Sequence, residues 1–266
     1  MAPVISSISP TSGHSGQTMT ITGTGLGTLS TTKVNIGTKT VTPTAASSTS
    51  VTLTIPSGCS GQANVTVTVS GVNSNSSAFF YVAAPTVTSL TPGIGPAAPG
   101  GPIDVFGTGF ATATSVAFGT VGTAVPTVLS DGHLTVTPPG HGAFTGCTDA
   151  ADVLVSSTGG TSSPIGASGQ FTYYELPAVT GVTPGTGAAG TTGVIVAGTC
   201  FVDVSSVTFT LTTGGASTPA NNVSVTGVGT LTLDVPGTLA SGTYDIQVIT
   251  PGGTSAAVAA DHFVIP

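Results

Sequence analysis

The feature that most constrains this chain is one stretch written three times. Pro3 to Leu26 (PVISSISPTSGHSGQTMTITGTGL), Pro85 to Phe110 (PTVTSLTPGIGPAAPGGPIDVFGTGF) and Pro177 to Phe201 (PAVTGVTPGTGAAGTTGVIVAGTCF) follow a single plan. Each opens Pro-x-(Val/Ile)-x-x-(Val/Ile/Leu)-(Ser/Thr)-Pro-x-x-Gly. Each then passes through a Gly/Pro-rich turn and an apolar run into Gly-Thr-(Gly/Cys)-(Leu/Phe). A unit repeated in this way specifies one architecture in tandem. The repeat divides the chain into three units, 1–83, 84–175 and 176–266, each long enough to bury its own small core.

Helical periodicity is essentially absent, while Thr/Val alternation is everywhere. That is the period-2 signature of strands with one face in a core and one in water. In the first unit the pattern predicts strands at 4–8, 19–23, 33–36, 38–42, 51–55, 64–69 and 78–82. Met19, Ile21, Val65, Val67 and Val69 should point inward. The second unit carries strands at 103–107, 115–118, 134–137, 152–156 and 170–174. The third carries them at 194–197, 206–211, 230–235, 243–250 and 261–264. Seven short strands in the first unit, set between Gly, Pro, Ser and Asn turns, with the plan repeated in the other two, indicate all-β sandwiches. Pro56, Pro138 and Pro236 close corresponding strands, where a residue without an N–H ends the ladder.

Composition removes several function classes. Only 4% of residues are charged and there is no Trp, against about 25% charged in an ordinary soluble domain. Thr, Ser, Asn and Gly must therefore cover the surface. The net charge of −7 sets nine acids against two bases, Lys33 and Lys39. Gripping nucleic acid or an anionic membrane needs clustered Lys and Arg, so neither is expected as a partner. Every apolar run is broken within a few residues, so no transmembrane helix and no membrane insertion is expected. The opening MAPVISSISP lacks the basic and apolar regions of a signal peptide and already belongs to the first repeat.

The opening motif, the Gly-Thr-Gly-Phe corner, Val-x-Phe-Gly at Val116 to Gly119 and Tyr-x-(Val/Ile)-x-Val-x-x-Pro-Gly-Gly at Tyr244 to Gly253 resemble the IPT/TIG immunoglobulin-like family. The resemblance covers nearly the whole chain in three copies. It implies immunoglobulin-like sandwiches used as spacer, adhesion or assembly modules, and it carries over no catalytic residue. Some members touch DNA through basic loops, which this sequence lacks. The linkers Tyr81–Pro85 and Tyr174–Pro177 are short and contain proline, which limits bending. Three units joined in this way are expected to form an extended rod on the order of 100 Å long.

No candidate chemistry in the sequence outweighs a structural reading. Gly185-Thr-Gly187-Ala-Ala-Gly190 matches the dinucleotide fingerprint, but that motif needs a following helix to aim N–H groups at phosphate. An apolar strand follows here, so a turn is expected. His14, His133, His141 and His262 show no metal-ligand spacing, and a zinc site from His133, His141 and Cys147 fits no known pattern. Asp149 and Asp152 are two carboxylates, fewer oxygen donors than calcium requires. No nucleophile elbow occurs, and the acids and histidines are not grouped along the chain. Neither an enzyme nor a cofactor is expected. The sequons at Asn64, Asn75 and Asn222 are glycosylation acceptors only in a host that glycosylates.

The three cysteines are more informative. Cys59 and Cys147 fall in equivalent loops of units one and two, at the end where the last strand leaves. Cys200 falls in the corner after the second strand of unit three, beside the incoming linker. End-to-end stacking would set Cys147 and Cys200 face to face across the second junction, so an interdomain disulfide is expected there. Cys59 is left as a free or intermolecular thiol.

The function expected from these observations is structural. The chain reads as a multi-sandwich rod that joins a homo-oligomer or larger assembly: a phage or phage-like virion component, as capsid decoration or tail appendage, or an extracellular filament. A surface with few like charges and exposed strand edges favours association. The alternative is a cell-surface adhesin that binds a receptor or glycan, although the lack of Trp argues against an aromatic sugar platform.

Overall fold

The alternating residues bury as the period-2 reading requires. In the strand Thr18–Thr24, Met19 and Ile21 are fully buried while their threonine neighbours stay accessible. In Gly61–Val69, Val65 and Val67 are fully buried and Val69 only partly so. The computed structural model describes residues 2–266 and is built almost wholly from strands. These assemble into three pairs of sheets, and no strand pairs with a strand of another pair. The buried apolar residues likewise fall into three separate cores, spanning Ile5 to Tyr81, Val87 to Tyr173 and Val179 to Ile265. The protein is three tandem immunoglobulin-like β-sandwiches.

In the first sandwich one sheet runs Val4–Ser9, Thr18–Thr24, Ser50–Thr54, Ala45–Ala46. The facing sheet runs Ser12–Gly13, Ser77–Tyr81, Gly61–Val69, Thr32–Ile36, Lys39–Val41. The second sandwich repeats this order strand for strand, and the third keeps the same plan with a shorter second sheet. Two-residue strands such as Ser12–Gly13 and Ala45–Ala46 lie outside the sequence reading, because so short a piece carries no period.

The repeated opening motif is the place where the chain changes sheets. Val4–Ser9 belongs to the first sheet, and Ser12–Gly13 pairs in parallel with the last strand of the second. The crossing occurs at the Ser/Thr-Pro step, which is cis in all three copies: Ser9-Pro10, Thr91-Pro92 and Thr183-Pro184. The register of the first strand pair slips in each copy, between Ile5 and Ser7, Val87 and Ser89, and Val179 and Gly181. Gly23, Gly107 and Gly198 sit beside these bulges. A methyl group on any of them would collide with the carbonyl oxygen of Val4, Thr86 or Ala178. Close backbone approach is therefore what the first glycine of the Gly-Thr corner provides.

The corner's next variable position is left-handed in every copy, with φ of 65° at Gly25, 75° at Gly109 and 57° at Cys200. A side chain with a Cβ is disfavoured there by about 1 kcal/mol or more, so the cysteine in the third copy occupies a place suited to glycine.

Most predicted strands move by a residue or more at one end or both, as at 64–69, which is observed as Gly61–Val69, and one such shift places a charged side chain. The last strand begins at His262 rather than at residue 261, and Asp261 ends a single 3-10 turn, Ala259–Asp261, with its side chain buried. The buried carboxylate accepts the N–H of Val258, the residue that precedes this turn, at 3.1 Å.

Candidate functional site

The loop that follows the fifth main strand of each sandwich decides what covers one end of its second sheet. In the second sandwich the connection from Pro138 to Cys147 is long and folds back. His141 stacks on Phe144 with ring centres 4.3 Å apart and tilts against Tyr173 at 5.0 Å. Phe144 in turn packs on the core. In the third sandwich, Leu239 of the corresponding loop packs on the core. The first sandwich has only Pro56 to Ser60 here, with serine, glycine and cysteine side chains to offer. Gly58 lies directly on the ring of Tyr81, whose hydroxyl donates to Pro56 O at 2.9 Å.

The short loop leaves a groove of about 750 Å³. Ile36 and Tyr81 form its apolar floor, and Gln62, Asn64, Ser57 and Lys39 supply hydrogen-bonding groups. No carboxylate lines it, and one of the chain's two cations does. The exposed thiol of Cys59 stands at its rim, unbonded. A volume in this range with a few convergent polar groups is typical of a small-ligand site.

The junctions between sandwiches are built alike. At the first, Gly159 lies so close to the linker that a methyl group there would collide with Ala83 O, and Gly160 lies under the ring of His14. At the second, the equivalent Gly252 would collide with Glu175 O, and Gly253 lies against Leu176. Both glycines belong to the Gly-Gly-Thr hairpin that follows the sixth main strand. The linker of one sandwich therefore docks on the same hairpin of the next. The second junction has two further ties. Tyr174 Oη donates to Asp203 Oδ2 at 2.5 Å, which raises the phenol pKa. Cys147 and Cys200 stand with Cα atoms 5.1 Å apart and their sulfurs at bonding distance.

The histidines and acids lie apart in sequence, yet the fold groups most of them. His133 Nε2 lies 2.7 Å from Asp104 Oδ1, His141 Nε2 2.9 Å from Asp149 Oδ2, and His262 Nε2 3.1 Å from Asp245 Oδ1. Antiparallel register brings Phe106 opposite His133 and Asp245 opposite His262. His133 is consequently a strand residue stacked on Phe106, one position ahead of the strand expected at 134–137. Neither His133 nor Cys147 joins His141 in the pairs observed, and Asp152 accepts from Gln170 Nε2 at 3.0 Å rather than sharing a site with Asp149. Gly185, Gly187 and Gly190 lie in the turns before the strand Val194–Thr199, and no helix follows. The sequon asparagines differ. Asn75 clamps the backbone of Ile5 through both ends of its amide, and Asn222 donates to Asp234, while Asn64 faces the groove.

A third cluster was not legible as a motif. Asp245, Asp261 and His262 each present a ligand atom, all within 4.8 Å of one another. Asp261 has no exposed surface and its Oδ1 has no hydrogen-bond partner. Burial, reinforced by the neighbouring Asp245, pushes its pKa up to about 6.

No helix is long and apolar enough to cross a membrane among the described residues. A search of curated proteins found no match. Among solved structures, a protein crystallised with a xylogluco-oligosaccharide is similar at 20% identity and a TM-score of 0.40, covering 99% of this chain and 60% of that one. The plexin A4 extracellular region is similar at 16% identity and a TM-score of 0.43, covering 94% and 23%. A Bacteroides ovatus SGBP-B from a mixed-linkage glucan utilisation locus, in complex with a mixed-linkage heptasaccharide, is similar at 14% identity and a TM-score of 0.29, covering 89% and 61%. The chain thus spans less than two thirds of the length of each. The family model for the IPT/TIG domain matches residues 3–82 and 85–173, more than half of the sequence, and with the sheet-switching proline and glycine corner present in all three copies, the chain belongs to the IPT/TIG domain family.

Proposed function

We propose that this protein is a non-catalytic adhesion rod displayed outside the cell, in which the first sandwich binds a hydroxylated ligand of the glycan class. The groove over Tyr81 carries this reading. It pairs an apolar floor with amide, hydroxyl and ammonium groups and has no carboxylate among its lining residues. Amide and hydroxyl groups exchange hydrogen bonds with sugar hydroxyls in both directions, and Tyr81 and Ile36 offer a surface for the C–H face of a ring. A glycan array probed with the full chain should give a defined set of hits that Gln62→Ala and Lys39→Ala both weaken. Hits that persist in both variants, or an array on which the wild type binds nothing, would overturn the assignment to this groove.

In this reading the three units, 1–83, 84–175 and 176–266, form a rod that holds the groove at a set distance from the point of attachment. The Cys147–Cys200 pair is proposed as a disulfide that stiffens the second junction, in keeping with an oxidising location. Non-reducing peptide mapping should recover the two cysteines in one linked peptide, whereas recovery of both as free thiols would refute the clamp. Cys59 is proposed as a free thiol open to intermolecular pairing.

A second reading, as a structural subunit of a virion or filament, is favoured by the sparsely charged surface and by the edge strands Lys39–Val41 and Gly122–Ala124. Negative-stain microscopy separates the two: an assembly subunit forms polymers or particle-bound copies, and an adhesin stays monomeric in size-exclusion chromatography.

A further inference from the structure

The third sandwich departs from its siblings at one place on its second sheet. In the second sandwich, Asp152 lies opposite Gln170, and the glutamine amide satisfies the carboxylate. The residue before that glutamine is Gly169, the last of the 3-10 turn Ala167–Gly169. In the third sandwich the same register sets Asp245 opposite His262, and the turn Ala259–Asp261 ends in aspartate. Two positions have changed together. An imidazole stands where an amide stood, and a carboxyl has been added where glycine left none.

The added carboxyl is not accommodated by the protein alone. Asp261 is wholly buried, only Oδ2 is bonded, to the Val258 N–H, and Oδ1 has no partner. A second carboxylate, Asp245, faces it. Burying a carboxylate beside another without a compensating positive charge is strongly unfavourable. The nearest basic group is His262, already 3.1 Å from Asp245 Oδ1. A proton shared between the two carboxyls relieves their repulsion but leaves the imidazole unused, whereas a cation would engage all three side chains.

We propose that Asp245, Asp261 and His262 form a binding site for a divalent first-row transition cation of the zinc class. The donor set selects this class. Calcium and magnesium take oxygen ligands almost exclusively, whereas two carboxylates with one imidazole suit zinc and its neighbours. Donor atoms around tetrahedral zinc stand about 3.4 Å apart, given bond lengths of about 2.0–2.2 Å. The present spread, within 4.8 Å, would have to contract towards that value on binding. His262 is partly exposed, which leaves its side of the cluster open to solvent. The site ties the turn Ala259–Asp261 to the strands Gly242–Thr250 and His262–Ile265, and so would act as a staple of the last sandwich rather than as a catalytic centre.

The sister sandwich supplies variants that keep the fold. His262→Gln restores the amide–carboxylate pair found at Gln170 and Asp152, and Asp261→Gly restores the residue of Gly169. The full chain, stripped with chelator and dialysed, is titrated with ZnCl2 by calorimetry near neutral pH, with CaCl2 in parallel. The expected result is one saturable zinc site per chain, lost in both variants while their circular dichroism stays native, and no comparable calcium binding. Absence of saturable zinc binding in the wild type would overturn the proposal. So would full retention of the site in both variants, which would place the metal on other histidines, or calcium binding that survives His262→Gln, which would remove the imidazole from the ligand set.

Discussion

Three tyrosines show how far a single hydroxyl is decided by its loop. Tyr81 and Tyr173 hold matching places in the last strands of their sandwiches, and Tyr244 lies near the start of the strand Gly242–Thr250. Tyr81 donates to Pro56 O at 2.9 Å and Tyr244 to Ala240 O at 3.0 Å. Tyr173 is fully buried under His141 and Phe144, and its hydroxyl has no partner among the described residues. Burial alone pushes its pKa up to about 12. A buried bonded hydroxyl contributes about 1 kcal/mol, while an unbonded one costs its desolvation. Tyr81→Phe and Tyr244→Phe should therefore each destabilise their sandwich by about 1 kcal/mol, and Tyr173→Phe should be neutral or stabilising. Thermal unfolding of the three variants tests this, and an equal loss in all three would contradict it. The sequence places all three tyrosines in predicted strands. It does not show which loop carbonyl each hydroxyl meets, because loops of unequal length carry no period. The same limit hid the His–Asp pairs, whose members meet through strand register and not through spacing.

At the scale of elements, most of what was legible came from two periods: alternation along strands and repetition along the chain. Together they located the main strands, the inward Met19, Ile21, Val65 and Val67, and the corner glycines. They did not reveal why Gly107 is glycine. The bulge between Val87 and Ser89 sets the Thr86 carbonyl against it, and the ring of Phe110 closes the other side. Gly107→Ala should cost about 1–3 kcal/mol by overpacking, read as a lowered transition of the second sandwich in calorimetry of the three-sandwich chain. An unshifted transition would mean that the bulge yields freely. A second device at this scale is electrostatic. Asp234, at the end of the strand Thr230–Asp234, accepts from Gly193 N at 2.8 Å and from Asn222 Nδ2 at 2.7 Å. These bonds, the asparagine's foremost, hold its carboxyl below the usual pKa. A lowered folded-state value means that the contribution is present above the unfolded carboxylate pKa and is lost as pH falls through the folded one. The stability gap between wild type and Asp234→Asn should therefore close on the acid limb. A gap that stays constant from neutral pH into that limb would show that the charge is irrelevant.

At the scale of the molecule, the two junctions share one docking device and differ in their locks. Gly159 and Gly252 each admit the preceding linker where a side chain would collide with it, and neither has a positive φ, so substitution there strains contacts rather than backbone. Among the described residues, the first junction shows this fit and the His14 contact. The second adds Tyr174–Asp203 and the Cys147–Cys200 pair. Gly159→Val should consequently loosen the first junction outright, while Gly252→Val alone should leave the second still tethered. Combining Gly252→Val with Cys200→Gly should free it. Cys200→Gly is well suited to this, because it gives a left-handed position the residue found at Gly25 and Gly109 and relieves about 1 kcal/mol of backbone cost within the third sandwich. Small-angle scattering should then show a broadened distance distribution for Gly159→Val and for the double variant, but not for Gly252→Val, with each sandwich unfolding at or above its original temperature. If Gly252→Val alone broadens the distribution as much as the double variant does, the hairpin fit holds the second junction and the cysteines do not.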